Sequence, residues 1–474
     1  MADPENPVDS NTTKSSAVGK VVNPGILLFL DRLIVAVSAG LFWIAISKIA
    51  DASDIGNATA LYSLVLVFTT MMELGLEYPL LKKSIMYGNQ IFGTAIIIEL
   101  GIIAVTIPIV LHIANSLNPE LQELVWVAIG FLILTPLNFI ARFYLLGFSN
   151  AKSVLIFDAI GTVTKFTVAF ILVSAGYGAL GIVLSFLSQT SVIAGCWIIY
   201  LSKNHFGFGL GNIKLAREII RDGLSNMPSK LSGFLLTGLS VVLLTSFGVD
   251  SSDVGMFYIA MTVTLVAGTF GQSLAYMAIP ASSEMKTELS PNSLRIGLSF
   301  TAPIIAALIV APASLLSILD AEYARVSGLL VVLAVGILPS VILSNAISKF
   351  NNLNEHKKLM AVGAVRVLSF LVPFFALVPQ YGSLGAAYSI TLSFISAAVL
   401  SLRWSDRDSI RYIAASIFSV FAGIMLGQIT EMFVNNSIAA ILVSIFTCFA
   451  VIIATKCTDI GEIRKIIATA RRIA

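Results

Sequence analysis

The chain carries little charge. Asp, Glu, Lys and Arg make up 12% of its 474 residues, whereas hydrophobic residues make up 57%. A soluble globular protein is about one-quarter charged, so this composition excludes an ordinary soluble domain. Apolar runs of about 20 residues recur along the sequence, and each is long enough to cross a ~30 Å hydrocarbon core as a helix. We therefore predict an all-α polytopic protein of the plasma membrane.

Cysteine and histidine are also scarce. The three cysteines, Cys196, Cys448 and Cys457, offer neither a disulfide framework nor the spacing of a metal site, and the three histidines lie far apart. The sequence lacks a Gly-x-Ser-x-Gly motif, a phosphate-binding loop and a His-Glu-x-x-His motif. It also lacks the clustered Asp, His or Glu residues that membrane-embedded enzymes usually show. We expect no enzymatic activity, metal, cofactor or nucleic-acid partner.

The apolar pattern predicts about fourteen membrane spans, at roughly 24–47, 55–78, 91–111, 123–146, 154–174, 178–201, 225–248, 254–279, 295–319, 326–348, 359–378, 383–402, 410–431 and 437–455. With the N-terminus in the cytoplasm, 24 of the 29 Lys and Arg residues fall on the inside. Only Lys48 and Arg325 fall outside, and three lie within spans. This bias follows the positive-inside rule and predicts that both termini are cytoplasmic.

Two short motifs each occur twice in the same order. DASDIG (51–56) returns as DSSDVG (250–255), and GYGALG (176–181) returns as QYGSLG (380–385). The first pair lies in the outside turns after spans 1 and 7, and the second pair in those after spans 5 and 11. Because the offset covers an even number of spans, the repeat is parallel. We predict two six-helix lobes, spans 1–6 and 7–12, followed by spans 13 and 14.

The same pattern predicts six segments. They are a disordered cytoplasmic tail (1–22), an N-lobe (23–201), a cytoplasmic amphipathic linker (202–223), a C-lobe (224–402), spans 13 and 14 (403–455) and a basic amphipathic cytoplasmic tail (456–474). In the linker, the hydrophobic residues are expected to face lipid and the basic residues to face headgroups. The hydrophobic set is Ile213, Ala216, Ile219 and Ile220, and the basic set is Lys214, Arg217 and Arg221.

The stretch ISKIADASDIGNATALYSLVLVFTTMMELGLEYPLLKK (46–83) joins a first span, a short acidic turn and a second span that ends in an acidic residue followed by Gly-Leu. This arrangement resembles the polysaccharide or O-antigen flippases of the multidrug/oligosaccharidyl-lipid/polysaccharide exporter superfamily. That superfamily also contains the lipid II flippases and the multidrug and toxin extruders. The resemblance implies two six-helix lobes around a cavity that opens alternately to each side of the membrane.

The resemblance has two further implications. Relatives often carry a charged Asp-Arg-like pair in span 7, but the corresponding stretch LTGLSVVLLTSF (236–247) has none, so no site is assigned there. In the lipid II flippases, the pair that corresponds to spans 13 and 14 forms a groove thought to take the lipid tail. By resemblance, spans 13 and 14 favour a lipid-linked substrate, with structural cladding as the alternative.

Ionisable residues inside spans are costly and mark function by default. Arg32, Lys165 and Arg366 are the candidate substrate-binding residues, because three cations in a low-dielectric cavity would hold an anion such as a diphosphate. When Gly161 is aligned with Gly363, Arg366 falls one position from the counterpart of Lys165. The alternative is that each cation forms a salt bridge within its own lobe. Asp158 would suit Lys165, because seven residues separate them on one helix face.

Five carboxylates are candidates for ion pairing or for coupling transport to a cation: Asp31, Glu73, Glu77, Glu99 and Asp158. Arg32 is predicted to pair with Glu73 or, failing that, with Glu77, since these residues lie at similar depth on adjacent spans. Arg142 and Lys152 are interpreted as ordinary positive-inside residues.

These features favour a flippase that moves a polyprenyl-diphosphate-linked oligosaccharide or polysaccharide precursor by alternating access. Its partners would be that lipid-linked substrate, membrane lipid and a coupling cation, Na+ or H+. A multidrug or cation antiporter on the same fold would need an acidic or apolar cavity. A membrane-embedded polysaccharide polymerase would need a large outside loop or a catalytic Asp cluster. A lipid-binding scaffold without transport is a third alternative.

Overall fold

The computed structural model describes residues 10–46, 49–50, 54, 58, 62, 65–66, 68–117, 119–204, 208–234, 240, 243–244, 247–249, 251–317, 321–455 and 457–458. Within these ranges, all the regular structure is helical. The α-helices are α1 Ser10–Ile46, α2 Glu77–Tyr87, α3 Asn89–Leu117, α4 Pro119–Gly147, α5 Ala151–Ser174, α6 Gly178–Lys203, α7 Ile213–Phe234, α8 Ser251–Met285, α9 Ser290–Val310, α10 Pro312–Ser317, α11 Ser327–Val335, α12 Ile337–Asn352, α13 His356–Leu402, α14 Arg407–Val434 and α15 Ser437–Ala454, with a 3-10 turn at Ala321–Val326.

Ten helices in the described part of the chain are long and apolar enough to cross a membrane. One of them, α13, has 47 residues and contains a non-helical residue, Gly382, at φ 53° and ψ −130°. This break falls at the predicted turn between spans 11 and 12. Much of predicted spans 2 and 7, and most of the two acidic turns, lies outside the described residues. The structure therefore shows an all-helical membrane protein.

The two YGxLG turns have the same local geometry. Gly178 and Gly382 occupy the same place in the motif, and both adopt positive φ, at 42° and 53°. The second glycine of each motif packs against the preceding helix: a Cβ on Gly181 would lie 3.1 Å from the backbone N of Val173, and one on Gly385 would lie 2.9 Å from that of Val378. Glycine is the residue that adopts positive φ at the first position and allows this close packing at the second position at low cost, which explains why both glycines recur.

In each half of the sequence, the YGxLG turn meets the region of the acidic turn. A Cβ on Gly178 would lie 2.6 Å from the carboxyl carbon of Asp54, and one on Gly382 would lie 4.0 Å from Val249. Asp54 belongs to DASDIG, and Val249 directly precedes DSSDVG. The sequence repeat is thus accompanied by a repeated tertiary contact.

Tertiary contacts divide the chain into two compact units. One comprises Leu28–Met227, and the other joins Met1–Leu27 to Pro228–Ala474. The core of the first unit is rich in aromatic residues and includes Phe42, Phe131 and Phe186. The core of the second is formed mainly by aliphatic residues of α8, α9, α11 and α12, together with Phe370 and Phe374 of α13.

The C-terminal helix pair packs on α9 through small residues. A Cβ on Gly427 of α14 would lie 2.8 Å from Val310, and one on Gly423 would lie 3.3 Å from Ala306. Asp406 caps α14 by accepting a hydrogen bond from the Ser409 backbone N–H at 3.1 Å, and it also accepts one from Lys349 at 3.2 Å. Partial burial would raise the pKa of Asp406. The backbone N–H groups of Ser409 and Asp406 and the Lys349 ammonium outweigh burial and hold this pKa below its usual value.

Two predictions about the segments that were expected to be cytoplasmic are corrected. Residues 10–22 were expected to be disordered, yet they form the first turns of α1, where Val21 is buried. A polar sequence can extend an existing helix because propagation is far easier than nucleation. The predicted tail at 456–474 lies outside the described residues, apart from 457–458.

The linker also differs from the prediction, because one of its faces packs against protein. Ile219, which was expected to face lipid, is completely buried, and Leu215 and Asp222 beside it are also buried. The linker lies within the first unit, and α7 continues past it to Phe234. A helix with one apolar face and one charged face can pack its apolar face against either protein or lipid. Periodicity alone therefore did not show which of the two environments the linker helix has.

The linker helix is held in place by a buried ion cluster and by a close backbone contact. Lys83 of α2 lies 2.7 Å from Glu218 and 2.6 Å from Asp222, and its side chain is 3% exposed. Beside it, the turn after Glu73 passes close to Gly223: a Cβ on Gly223 would lie 2.8 Å from the Leu74 carbonyl oxygen. Both contacts hold the first half of α7 against the rest of the first unit.

Lys83→Met is expected to lower the free energy of unfolding by about 3 kcal/mol, because it removes the buried cation that binds the buried carboxylate of Asp222. A lower thermal midpoint of the purified protein would show this. Arg221→Gln is the matched control, because Arg221 contacts the same Asp222 but its side chain is 64% exposed. Combining Lys83→Asp with Asp222→Lys should recover part of the loss. An unchanged midpoint for Lys83→Met would contradict the role given to the cluster.

Candidate functional site

Helix α5 presents a polar stripe to the interior of the first unit. Asp158, Thr162 and Lys165 are 8%, 7% and 6% exposed, while Val163 and Phe170 on the other side of the helix are exposed. The spacing of four and then three residues places the three polar side chains on one face, as the sequence predicts.

Arg142 of α4 joins two carboxylates in this interior. One guanidinium nitrogen donates to Asp158 of α5, and another donates to Asp31 of α1. The Asp31 side chain is 1% exposed and that of Asp158 is 11% exposed. A planar guanidinium can hold two carboxylates at once, which a lysine ammonium does less well.

The cluster of Asp31, Arg142 and Asp158 has a formal charge of −1 when all three residues are ionised. Asp31 Oδ1 is buried and has no hydrogen-bond partner among the described residues. A buried negative charge that is only partly compensated is costly in a low-dielectric interior. The cluster is therefore suited to a further positive charge, such as a proton or a metal cation.

Lys165 has a different environment, made of aromatic rings. Its ammonium nitrogen lies 4.6 Å from the ring centroid of Phe42, 5.4 Å from that of Phe186 and 5.8 Å from that of Phe166. Within the described ranges, no carboxylate lies within salt-bridge distance of it, and the predicted partner Asp158 is bound to Arg142 instead. Ring faces attract a cation, but each contributes only about 0.5–2 kcal/mol.

The rings around Lys165 pack on one another. Phe42 meets Phe166 edge to face at 5.5 Å, and Tyr62 stacks on Phe186 at 4.4 Å. These contacts fix the rings and so fix the position of the ammonium group. The site therefore presents one positive charge in an otherwise apolar setting.

Arg366 in the second unit also lies over an aromatic ring. Its guanidinium carbon is 4.7 Å from the ring centroid of Phe394, and the Ser393 hydroxyl donates to its backbone carbonyl at 2.9 Å. Arg366 is half-buried on α13. Lys165 and Arg366 thus each lie over an aromatic ring, each within its own unit.

Solved structures of several transporters share the fold. A mutant of the Vibrio cholerae MATE transporter VcmN is 14% identical, with a TM-score of 0.67 over 84% of this chain and 100% of its own. The lipid II flippase MurJ in an inward closed conformation is 13% identical, with a TM-score of 0.62 over 90% of this chain and 97% of its own. A MOP superfamily transporter from Pyrococcus furiosus, described as having a binding pocket of reverse polarity, is 15% identical, with a TM-score of 0.62 over 85% of this chain and 97% of its own.

A family model described as "Polysaccharide biosynthesis protein" matches residues 46–324, more than half of the chain. The chain belongs to the polysaccharide biosynthesis protein family. No curated protein matches it in sequence. The family is thus described by polysaccharide biosynthesis, and the fold is that of the MATE transporters and MurJ, as the sequence predicts.

In this family member, the remaining predicted residues lie at several places. Arg32 is half-buried beside Asp31 on α1, and Glu73 lies in the turn before α2. Glu77 in the first turn of α2 is buried, and Glu99 of α3 is completely buried. The predicted pairing of Arg32 with Glu73 or Glu77 stays a prediction.

Sequence reasoning missed the role of Arg142. It treated this residue as a positive-inside residue near the end of span 4, whereas the structure places it between two buried carboxylates. A signal was present: Arg142 interrupts the apolar stretch around NFIARFYLLG (138–147), and Asp31 and Asp158 each lie in an apolar span that needs a cation.

Arg142→Met is expected to reduce the yield of folded, monodisperse protein sharply, because two buried carboxylates lose their shared cation. Asp158→Asn added to Arg142→Met should restore part of the yield, since it removes one of those charges. Size-exclusion profiles and thermal midpoints would measure both effects. Lys152→Met is the control, because Lys152 is exposed at the start of α5. Wild-type yield and midpoint for Arg142→Met would contradict this assignment.

Proposed function

We propose that the chain is a flippase for a polyprenyl-diphosphate-linked oligosaccharide or another polysaccharide precursor, which it moves by alternating access. The observation that carries this proposal is Lys165, a buried ammonium group whose described neighbours are aromatic rings instead of carboxylates. A diphosphate would supply the counter-charge that the surroundings of Lys165 do not.

The salt-bridge alternative for Lys165 loses its main support. That alternative requires Asp158 as the partner, but Asp158 bonds to Arg142, which also holds Asp31. Lys165 then keeps its charge free for a ligand, at the cost of burial near the middle of a span. An apolar residue at position 165 would pack among the rings without the cost of burying a charge. Lys165 is therefore easier to explain by a role in ligand binding than by a role in folding stability.

Arg32 and Arg366 complete the proposed substrate-binding set. Arg366 lies over an aromatic ring, as Lys165 does, and the two residues occupy nearly corresponding positions in the sequence repeat. We propose that both residues bind the substrate, with Arg gripping a diphosphate through two nitrogens and Lys acting as a point charge.

The similar structures support a lipid-linked substrate without deciding it. MurJ is a lipid II flippase, and the family of this chain is described by polysaccharide biosynthesis. A multidrug antiporter on the same fold would be expected to line its cavity with acidic or apolar groups. The cations at Lys165 and Arg366 favour the flippase.

Lys165→Ala is expected to abolish flipping of the lipid-linked precursor, a loss of at least about tenfold, with normal expression and thermal stability. Lys165→Arg should retain more activity. Lys152→Ala, on the exposed side of the same helix, is the matched control. Flipping can be followed in proteoliposomes by accessibility of the saccharide, or by complementation of a flippase-deficient strain.

Two outcomes would argue against this role. Full complementation by a stable Lys165→Ala protein would show that Lys165 is not needed for the substrate. Loss of folded Lys165→Ala protein that is rescued by Asp158→Asn would favour the salt-bridge alternative, which the contacts of Asp158 do not support.

We also propose the finer architecture of fourteen spans, two parallel six-helix lobes and cytoplasmic termini. The repeated YGxLG geometry and the repeated contact near the acidic turns support it. In a background without Cys196, Cys448 and Cys457, a cysteine at Ser252 should react with an impermeant reagent from outside only. A cysteine at Lys357 should react from inside only. Inside labelling at Ser252 would overturn this topology.

A coupling cation is proposed to bind at Asp31 and Asp158, because these carboxylates share one guanidinium and carry an excess negative charge. Either Na+ or H+ would neutralise it. Asp31→Asn should keep the fold, since it removes the excess charge, but transport should no longer respond to a Na+ or pH gradient. The response of flipping to each imposed gradient measures this, and a wild-type response in Asp31→Asn would refute the site.

A further inference from the structure

The linker region presents a surface that combines exposed hydrophobic and basic side chains. Phe208, Leu210 and Ile213 are 60%, 61% and 82% exposed. Lys214, Arg217 and Arg221 are exposed beside them, spaced three and four residues apart on one face of α7. We call these six residues the linker surface.

The opposite face of the linker is fixed, so the linker surface cannot rotate inward. Leu215, Ile219 and Asp222 are buried, and Lys83 binds Asp222 at 2.6 Å. The preceding loop is anchored as well. The Gly211 backbone N–H donates to the Thr94 hydroxyl at 2.9 Å, and that of Gly209 donates to the Asn89 carbonyl at 3.3 Å.

The position of the linker surface is that of a membrane boundary. Helix α6, a candidate span, ends at Lys203, and the candidate span Asn89–Val110 begins at the residue to which the linker loop is anchored. The exposed hydrophobic side chains are therefore level with the helix ends, where headgroups meet acyl chains. This is the depth at which amphipathic helices bind membranes.

The positive charge of the linker surface favours anionic lipids over zwitterionic lipids. The nearby carboxylates Glu218 and Asp222 are both bound to Lys83, and Asp222 also lies 3.4 Å from Arg221. Among the described residues, Lys214 and Arg217 form no salt bridge, so the linker surface keeps an excess of positive charge. Basic residues at a membrane surface attract anionic lipid, and each contributes measurably to binding. Zwitterionic headgroups would not satisfy this excess positive charge.

We propose that the linker surface is a binding site for anionic phospholipid headgroups of the cytoplasmic leaflet. The hydrophobic residues insert among the acyl chains while Lys214, Arg217 and Arg221 contact the phosphates. The site rests on the proposed orientation of the chain, but not on which substrate is transported. Lipid binding at this site holds the segment that connects the two sequence repeats at one leaflet of the membrane.

The test measures lipid binding by the purified full-length protein with native mass spectrometry, using phosphatidylglycerol and phosphatidylcholine as probes. The double variant Lys214→Gln/Arg217→Gln should lower the affinity for phosphatidylglycerol at least about tenfold and leave phosphatidylcholine unaffected. Both side chains are exposed, so its thermal midpoint in detergent should stay unchanged. The matched control, Lys357→Gln/Arg403→Gln, removes the same charge from exposed residues of the second unit.

A second variant tests the hydrophobic half of the site. Phe208→Ser/Ile213→Ser should weaken retention of phosphatidylglycerol while the basic residues remain. Equal loss of phosphatidylglycerol in the control variant would show a general charge effect and overturn the proposal, as would equal affinity of the wild type for the two lipids. Because the readout is binding, these outcomes are independent of whether Lys165 variants flip a substrate.

Discussion

Charged groups buried among apolar helices need a partner of opposite charge, and in the first unit the guanidinium of Arg142 is that partner for two carboxylates. Arg142 holds both Asp31 and Asp158. Because Asp158 is bound to Arg142, Lys165, which lies seven residues further along the same face of α5, contacts the rings of Phe42, Phe166 and Phe186 instead. Helix α5 therefore contributes to two different sites: a carboxylate cluster with excess negative charge, and a cation whose described neighbours are aromatic rings. Both are chemically useful to a transporter.

The repeat in the sequence reflects backbone requirements more than shared chemistry. Gly178 and Gly382 recur because both turns need positive φ, and Gly181 and Gly385 recur because a side chain there would strike the preceding helix. The ionisable residues are less strictly repeated: the first unit contains the Arg142 cluster, whereas Arg366 in the second lies over Phe394. A doubled fold therefore supports sites that differ between its halves.

The linker shows how one amphipathic helix can serve two environments. Its inner face is bound to the first unit by Lys83 and by the close approach of Leu74 to Gly223. Its outer face keeps Lys214 and Arg217 exposed beside Ile213. The buried ion cluster thus orients the helix, and orientation determines which residues can meet lipid headgroups.

The sequence by itself determined the helical membrane class, the repeated glycine turns and the shared face of Asp158 and Lys165, because each follows from composition or from helical periodicity. Only the tertiary structure decided that Arg142 takes both carboxylates, that Lys165 lies among aromatic rings, and that Ile219 faces protein instead of lipid. Those outcomes depend on which side chains of distant helices come within a few ångströms of each other. Periodicity along one helix fixes the direction of a side chain but not its partner.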